Sequence, residues 1–82
     1  MSGTTLDTVS ALFAEHLGVP VESVKPESTV ASLFGDSLDE AELVIGIEDK
    51  FGIQITDDDA RTLDSVGKVA EYIDGRKQAE RA

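Results

Sequence analysis

The chain has 82 residues, no cysteine and one histidine, so few of its side chains can take part in covalent chemistry. Ser37 is the one that pattern singles out. It stands where a loop becomes a helix, in Leu33-Phe34-Gly35-Asp36-Ser37-Leu38-Asp39-Glu40-Ala41-Glu42-Leu43-Val44. Two roles compete for it. Ser37 and Glu40 form the Ser-x-x-Glu pattern of a capping box, in which the serine oxygen accepts from the Glu40 N–H and the Glu40 carboxylate accepts from the Ser37 N–H. In the other role the hydroxyl is exposed at the positive end of the helix and receives a phosphate ester, which that end stabilises. Capping boxes are far commoner than modified serines, so local pattern favours the first role and the rest of the chain must decide.

Other candidates carry less. His16 falls in the last turn of a helix, where a lone histidine acts as a surface cation, and no metal ligand or serine partner is placed beside it. No Gly-x-Ser-x-Gly elbow is present, so no catalytic residue is assigned. Asp57-Asp58-Asp59 lacks the glycine and the terminal glutamate of a calcium loop. These acids read as a helix first turn, and no metal ligand is assigned.

The elements that must position Ser37 follow from periodicity. Leu6, Val9, Phe13 and Leu17 make one apolar face of a first helix from Leu6 to Leu17, capped by Thr4 or Thr5 and stopped by Gly18. A long connection from Val19 to Asp36 contains Pro20 and Pro26. Its scattered valines suggest packing onto the core, with a helical turn near Val30 to Leu33 rather than a strand. The second helix spans about Ser37 to Phe51. Ile53 to Ile55 is extended, Thr56 caps a short helix, and Asp64-Ser65 caps the last one, whose stripe is Val66, Val69, Ala70 and Ile73. The chain after Gly75 reads as a frayed, solvated tail. The expectation is an all-α fold: a small bundle of three principal helices and one short helix, forming a single domain over 1–82 with its core at about 5–75.

The second helix carries two apolar stripes. Leu43, Val44, Ile47 and Phe51 form a core face, while Leu38, Ala41 and Ile45 lie nearly opposite. Glu42 and Asp49 fall within the second stripe and Glu48 flanks it, which opposes full burial because unpaired charges are rarely buried. The second stripe is therefore either covered by the bundle or a docking face of apolar anchors in an acidic rim. Gly46, mid-helix, costs about 1 kcal/mol relative to alanine and either admits another segment or leaves internal space.

Bulk charge narrows the partners. A formal net charge of −10 opposes nucleic-acid binding, which needs Lys and Arg at the phosphates, and favours basic partner faces. With 40% apolar residues in clear periods the chain is expected to fold despite its acidity. No apolar run is long enough to span a bilayer and no secretory signal is evident, so a soluble protein is expected, and the absence of cysteine fits a reducing cytosol.

From about Leu6 to Ile73 this chain resembles an acyl carrier protein. The resemblance is most specific at Gly35-Asp36-Ser37-Leu38-Asp39, then Glu42-Leu43-Val44, Glu48-Asp49-Lys50-Phe51 and the Ile53–Ile55 segment. It implies that Ser37 carries 4′-phosphopantetheine, donated by coenzyme A through a separate Mg²⁺-dependent phosphopantetheinyl transferase. The terminal thiol of that arm would hold the acyl group as a thioester, which agrees with a chain lacking cysteine. Asp36 and Asp39 match acids that help the transferase recognise the carrier. Leu38, Ala41 and Ile45 match exposed apolar positions of the recognition helix, with Glu42 and Glu48 its acids. Leu43, Ile47, Phe51 and Ile73 match core positions that can line an acyl cavity.

The sequence departs from the family pattern at Phe34, where small or polar residues are common, at Gly46, and at Lys50, where an acid is frequent. The resemblance implies a freestanding, cytoplasmic, monomeric carrier that is not itself an enzyme. It would present acyl intermediates to fatty-acid, lipid or polyketide synthesis enzymes with basic docking surfaces, with no nucleic acid and no membrane insertion. Two alternatives remain beside it. One is an aminoacyl or peptidyl carrier; the other, of a different class, is an acidic protein-interaction module without a prosthetic group.

Overall fold

Thr4 opens the first helix. Its hydroxyl accepts from the Asp7 N–H at 3.1 Å and the Asp7 carboxylate accepts from the Thr4 N–H at 3.3 Å, a reciprocal cap. The helix that follows, α1 (Thr5–Leu17), ends at Gly18, which takes the left-handed conformation at φ 68°. The computed structural model describes residues 4–81, with side chains over 4–76. Three more helices follow: α2 (Ser37–Phe51), α3 (Asp57–Thr62) and α4 (Val66–Arg81). No strand is present among the described residues.

The core is where the three long helices meet. Val9 and Phe13 of α1, Leu43 and Ile47 of α2, and Val66, Val69, Ala70 and Ile73 of α4 are all buried, and α1 packs against both of the others. The long first connection packs onto the core as most of its valines suggest, but Val21 is exposed. Val24, Val30 and Leu33 enter the core, through single 3-10 turns at Val21–Ser23 and Ala31–Leu33. The first of these turns has no signal in the sequence.

The connection is also tied by its backbone to the start of α4. Val66 N–H donates to the Ser28 carbonyl at 2.9 Å and Gly67 N–H to the Pro26 carbonyl at 2.8 Å. Two N–H groups of the first turn of α4, which no helical carbonyl can reach, are thereby satisfied. A Cβ on Gly67 would lie 3.1 Å from the Pro26 carbonyl oxygen, so glycine permits this approach.

α4 continues past the point where a frayed tail is expected, running through Gly75 to Arg81. Gly75 is not among the glycines with positive φ, and Arg, Lys, Gln, Ala and Glu beyond it are good helix formers.

Candidate functional site

The first turn of α2 departs from the expected cap. Asp36, not Ser37, is the N-cap residue. Its carboxylate accepts from the Asp39 N–H at 3.0 Å, and the Asp39 carboxylate accepts from the Asp36 N–H at 3.0 Å. Asp36-x-x-Asp39 overlaps Ser37-x-x-Glu40 by one residue. The aspartate wins because its carboxylate brings negative charge to the positive helix end as well as a hydrogen-bond acceptor. Ser37 is thus the first residue of the helix proper. Its side chain is exposed, and no hydrogen bond to any described residue engages its hydroxyl. The backbone N–H groups of Ser37 and Leu38 likewise find no partner among the described residues.

The loop feeding this turn is rigidly seated. Gly35 N–H donates to the Val30 carbonyl at 2.8 Å and Phe34 N–H to the Ala31 carbonyl at 3.1 Å. A Cβ on Gly35 would fall 2.6 Å from Val30 Cγ1 and 2.7 Å from Leu17 Cδ2, so only glycine allows the loop to press onto α1 here. Phe34 closes the 3-10 turn in the left-handed conformation, with φ 68°, and its side chain is 94% exposed.

The second stripe of α2 is uncovered. Leu38, Ala41 and Ile45 are exposed, as are Asp36 and Glu42, while Asp39 is half-buried in its cap. Glu48 is different. It is half-buried and its carboxylate accepts from the Ile55 N–H at 2.7 Å, so it anchors the segment between α2 and α3. A groove of about 400 Å³ begins at Ser37 and runs between α2 and α3, lined by Glu40, Ala41, Val44, Ile45, Glu48, Ile55, Asp57 and Ala60.

Adjoining the groove is a small, partly open cavity of about 20 Å³, with room for about one water molecule. Leu43 and Ile47 line it, together with Phe13, Val30, Val44, Ile55, Ala60, Leu63 and Val69. Phe51, half-buried, and Ile73, fully buried, are not among its lining residues. Glu40, Val44, Ile55 and Ala60 belong to both groove and cavity.

Gly46 is resolved by its neighbour. The His16 ring lies against it, and a Cβ would meet His16 Nε2 at 2.8 Å. The glycine lets the end of α1 approach α2.

One arrangement beside the site has no precursor in the sequence patterns. Tyr72 of α4 donates to Asp59 of α3 at 2.8 Å and accepts from Arg76 at 2.9 Å; Arg76 also donates to the Gln54 carbonyl at 2.8 Å. Partial burial, then the bond to Asp59, raise the Tyr72 hydroxyl above the usual tyrosine range. The network ties α3, only six residues long, and the segment before it to α4.

An exposed serine freed from capping, with two unpartnered N–H groups beside it at the start of a fifteen-residue helix, fits a covalently attached phosphate ester. A four-helix bundle that presents such a serine has the arrangement a carrier domain requires. The model of the phosphopantetheine attachment site matches residues 7–73. A solved structure of acyl carrier protein from Enterococcus faecalis is similar to this chain. It is 30% identical over 84% of this chain and 89% of that one, with a TM-score of 0.70. This chain belongs to the acyl carrier protein family, whose prosthetic group is covalent 4′-phosphopantetheine.

Proposed function

We propose that the chain is an acyl carrier whose arm is attached at Ser37, and that it is handed between enzymes rather than being one. The observation that carries this reading is the division of labour at the first turn of α2. Asp36 caps the helix, so the Ser37 hydroxyl has no structural duty and stands in solvent. In the loading step Ser37 Oγ attacks the pyrophosphate of coenzyme A. A bond from Oγ to phosphorus forms, the bond from that phosphorus to the adenosine nucleotide breaks, and the serine proton passes to a base of the transferase. When bound, the arm supplies a thiol that holds cargo as a thioester.

This chain's residues then hold and address the group. The Ser37 and Leu38 N–H groups would favour the phosphodiester, while the carboxylates of Asp36, Asp39 and Glu40 would repel it. Leu38, Ala41 and Ile45, rimmed by Glu42, form the face read by basic partner enzymes. Docking through such exposed ion pairs is weak and screened by salt, which suits a carrier that must be released after each step. The bond from Glu48 to Ile55 gives that residue a structural task beside any docking one. Leu43 and Ile47 supply apolar walls for the start of an acyl chain; Phe51 and Ile73 act behind them as packing. Cytoplasmic synthesis of fatty acids, other lipids or polyketides is the setting this chemistry fits.

The acidic, apolar-studded face favours acyl over aminoacyl cargo. The test is to load the modified protein with a malonyl transacylase and with an amino-acid-adenylating enzyme, reading the thioester by intact mass. Malonyl transfer without aminoacyl transfer supports the reading, and the reverse makes the chain a peptidyl-type carrier.

A further inference from the structure

We propose that Phe34 is a recognition residue for the enzyme that loads Ser37, its ring entering an apolar pocket in that enzyme's basic docking face. The inference rests on the carrier reading and adds a contact on the N-terminal side of the serine, away from the exposed stripe of α2.

Three observations point to it. Phe34 is the sole non-glycine residue with positive φ among those described, and its position needs that conformation to close the 3-10 turn through the Ala31 and Val30 carbonyls. Glycine fills such a position without strain, whereas a bulky side chain there is a true outlier. The ring gives the fold nothing in return, being the most exposed of the large apolar side chains at 94%. Strain held at a solvent-exposed residue beside a functional one is a pointer to use. Second, Phe34 is three residues before Ser37, and with Leu38 it brackets the serine with exposed apolar side chains. Any enzyme that brings a phosphoryl donor to Ser37 Oγ must close over this end of α2. Third, the next residue, Gly35, is wedged against Leu17 and Val30, so the ring stands on a base that little ordering is needed to fix.

Charge selects the occupant. Asp36, Asp39 and Glu40 follow Phe34 within six residues at the start of α2, and the chain carries −10. A second copy, or a surface of anionic lipid, would meet like charge, whereas a basic protein face meets its complement.

The test compares the wild type with Phe34→Gly and Phe34→Ala. A broad-specificity phosphopantetheinyl transferase, coenzyme A and Mg²⁺ are the probe, and the readouts are kcat, KM and Tm. Burying a phenylalanine ring and losing it differ by about tenfold or more in affinity. Both variants should therefore show KM raised about tenfold with kcat little changed. Phe34→Gly should also melt about 4 °C or more above wild type, because relief of a left-handed strain raises the Tm of a domain this small by that order.

A contact of the ring with the fold alone would move KM little and lower Tm. Unchanged KM in both variants, a loss confined to Phe34→Gly, or no rise in its Tm would overturn the proposal while modification of the wild type leaves the carrier reading intact. If the wild type itself took no arm, both would fall together.

Discussion

At the first turn of α2, two overlapping patterns of the same kind compete for the same N–H groups. Asp36-x-x-Asp39 and Ser37-x-x-Glu40 are one residue apart, and spacing alone cannot rank them. The extra stabilisation of a carboxylate at the helix N-terminus ranks them, and that term depends on which residue leaves helical φ and ψ. Asp36 does, at φ −123° and ψ −172°. Whether Ser37 caps the helix was therefore legible only as one of two possibilities, and the backbone decides against the cap. Asp36→Ala should cost about 1 kcal/mol and lower Tm by about 4–8 °C, while Ser37→Ala should stay within about 0.5 kcal/mol of wild type. Thermal melts followed by circular dichroism at about 0.5 M salt, where charge relief is screened, check both.

The long helices were readable because each buries a stripe at regular spacing. Their partners across the bundle were not. Glu48 bonds to Ile55 seven residues away, and Tyr72 joins Asp59 and Arg76 across two helices. No period encodes such contacts, since each depends on how α3 is set against α2 and α4. Gly46 teaches the same point: its cost to the helix is visible in the sequence, but the His16 ring that explains it sits on another element.

The Tyr72 network carries a pH prediction. With its hydroxyl raised in the folded state, the folded protein keeps the proton where the unfolded chain, at about 10, loses it. This contribution is fully present below that value and is lost as pH rises through the folded value. Wild-type stability should fall above about pH 10, and Tyr72→Phe should remove that part of the fall while being less stable at neutral pH. Urea midpoints measured from neutral to alkaline pH report it, and parallel curves would contradict it.

On the scale of the whole molecule, acidity both addresses the protein and strains it. Two ion pairs, Arg61 with Asp58 and Lys68 with Asp64, are exposed. Such pairs offset little of a net charge of −10. Asp57, Asp58 and Asp59 crowd the start of α3, and Asp57 lines the groove that leads from Ser37 together with Glu40 and Glu48 of α2. Raising the salt concentration, or adding Mg²⁺, should raise Tm, while docking to a basic enzyme should weaken over the same range. A Tm that fell with salt would show that attraction, not repulsion, dominates the surface. Charge and fold class were plain in composition and periodicity. The small volume of the cavity was not, because it depends on how closely the side chains of four helices close.

The central claim is that the Ser37 hydroxyl, relieved of capping by Asp36, is the attachment point. Its most direct test is the intact mass of wild type and Ser37→Ala after incubation with coenzyme A, Mg²⁺ and a phosphopantetheinyl transferase, each first shown to be helical by circular dichroism. One phosphopantetheinyl addition is expected on the wild type and none on a fully folded Ser37→Ala. An addition that survived in Ser37→Ala, or a folded wild type that took none from two different transferases, would contradict it.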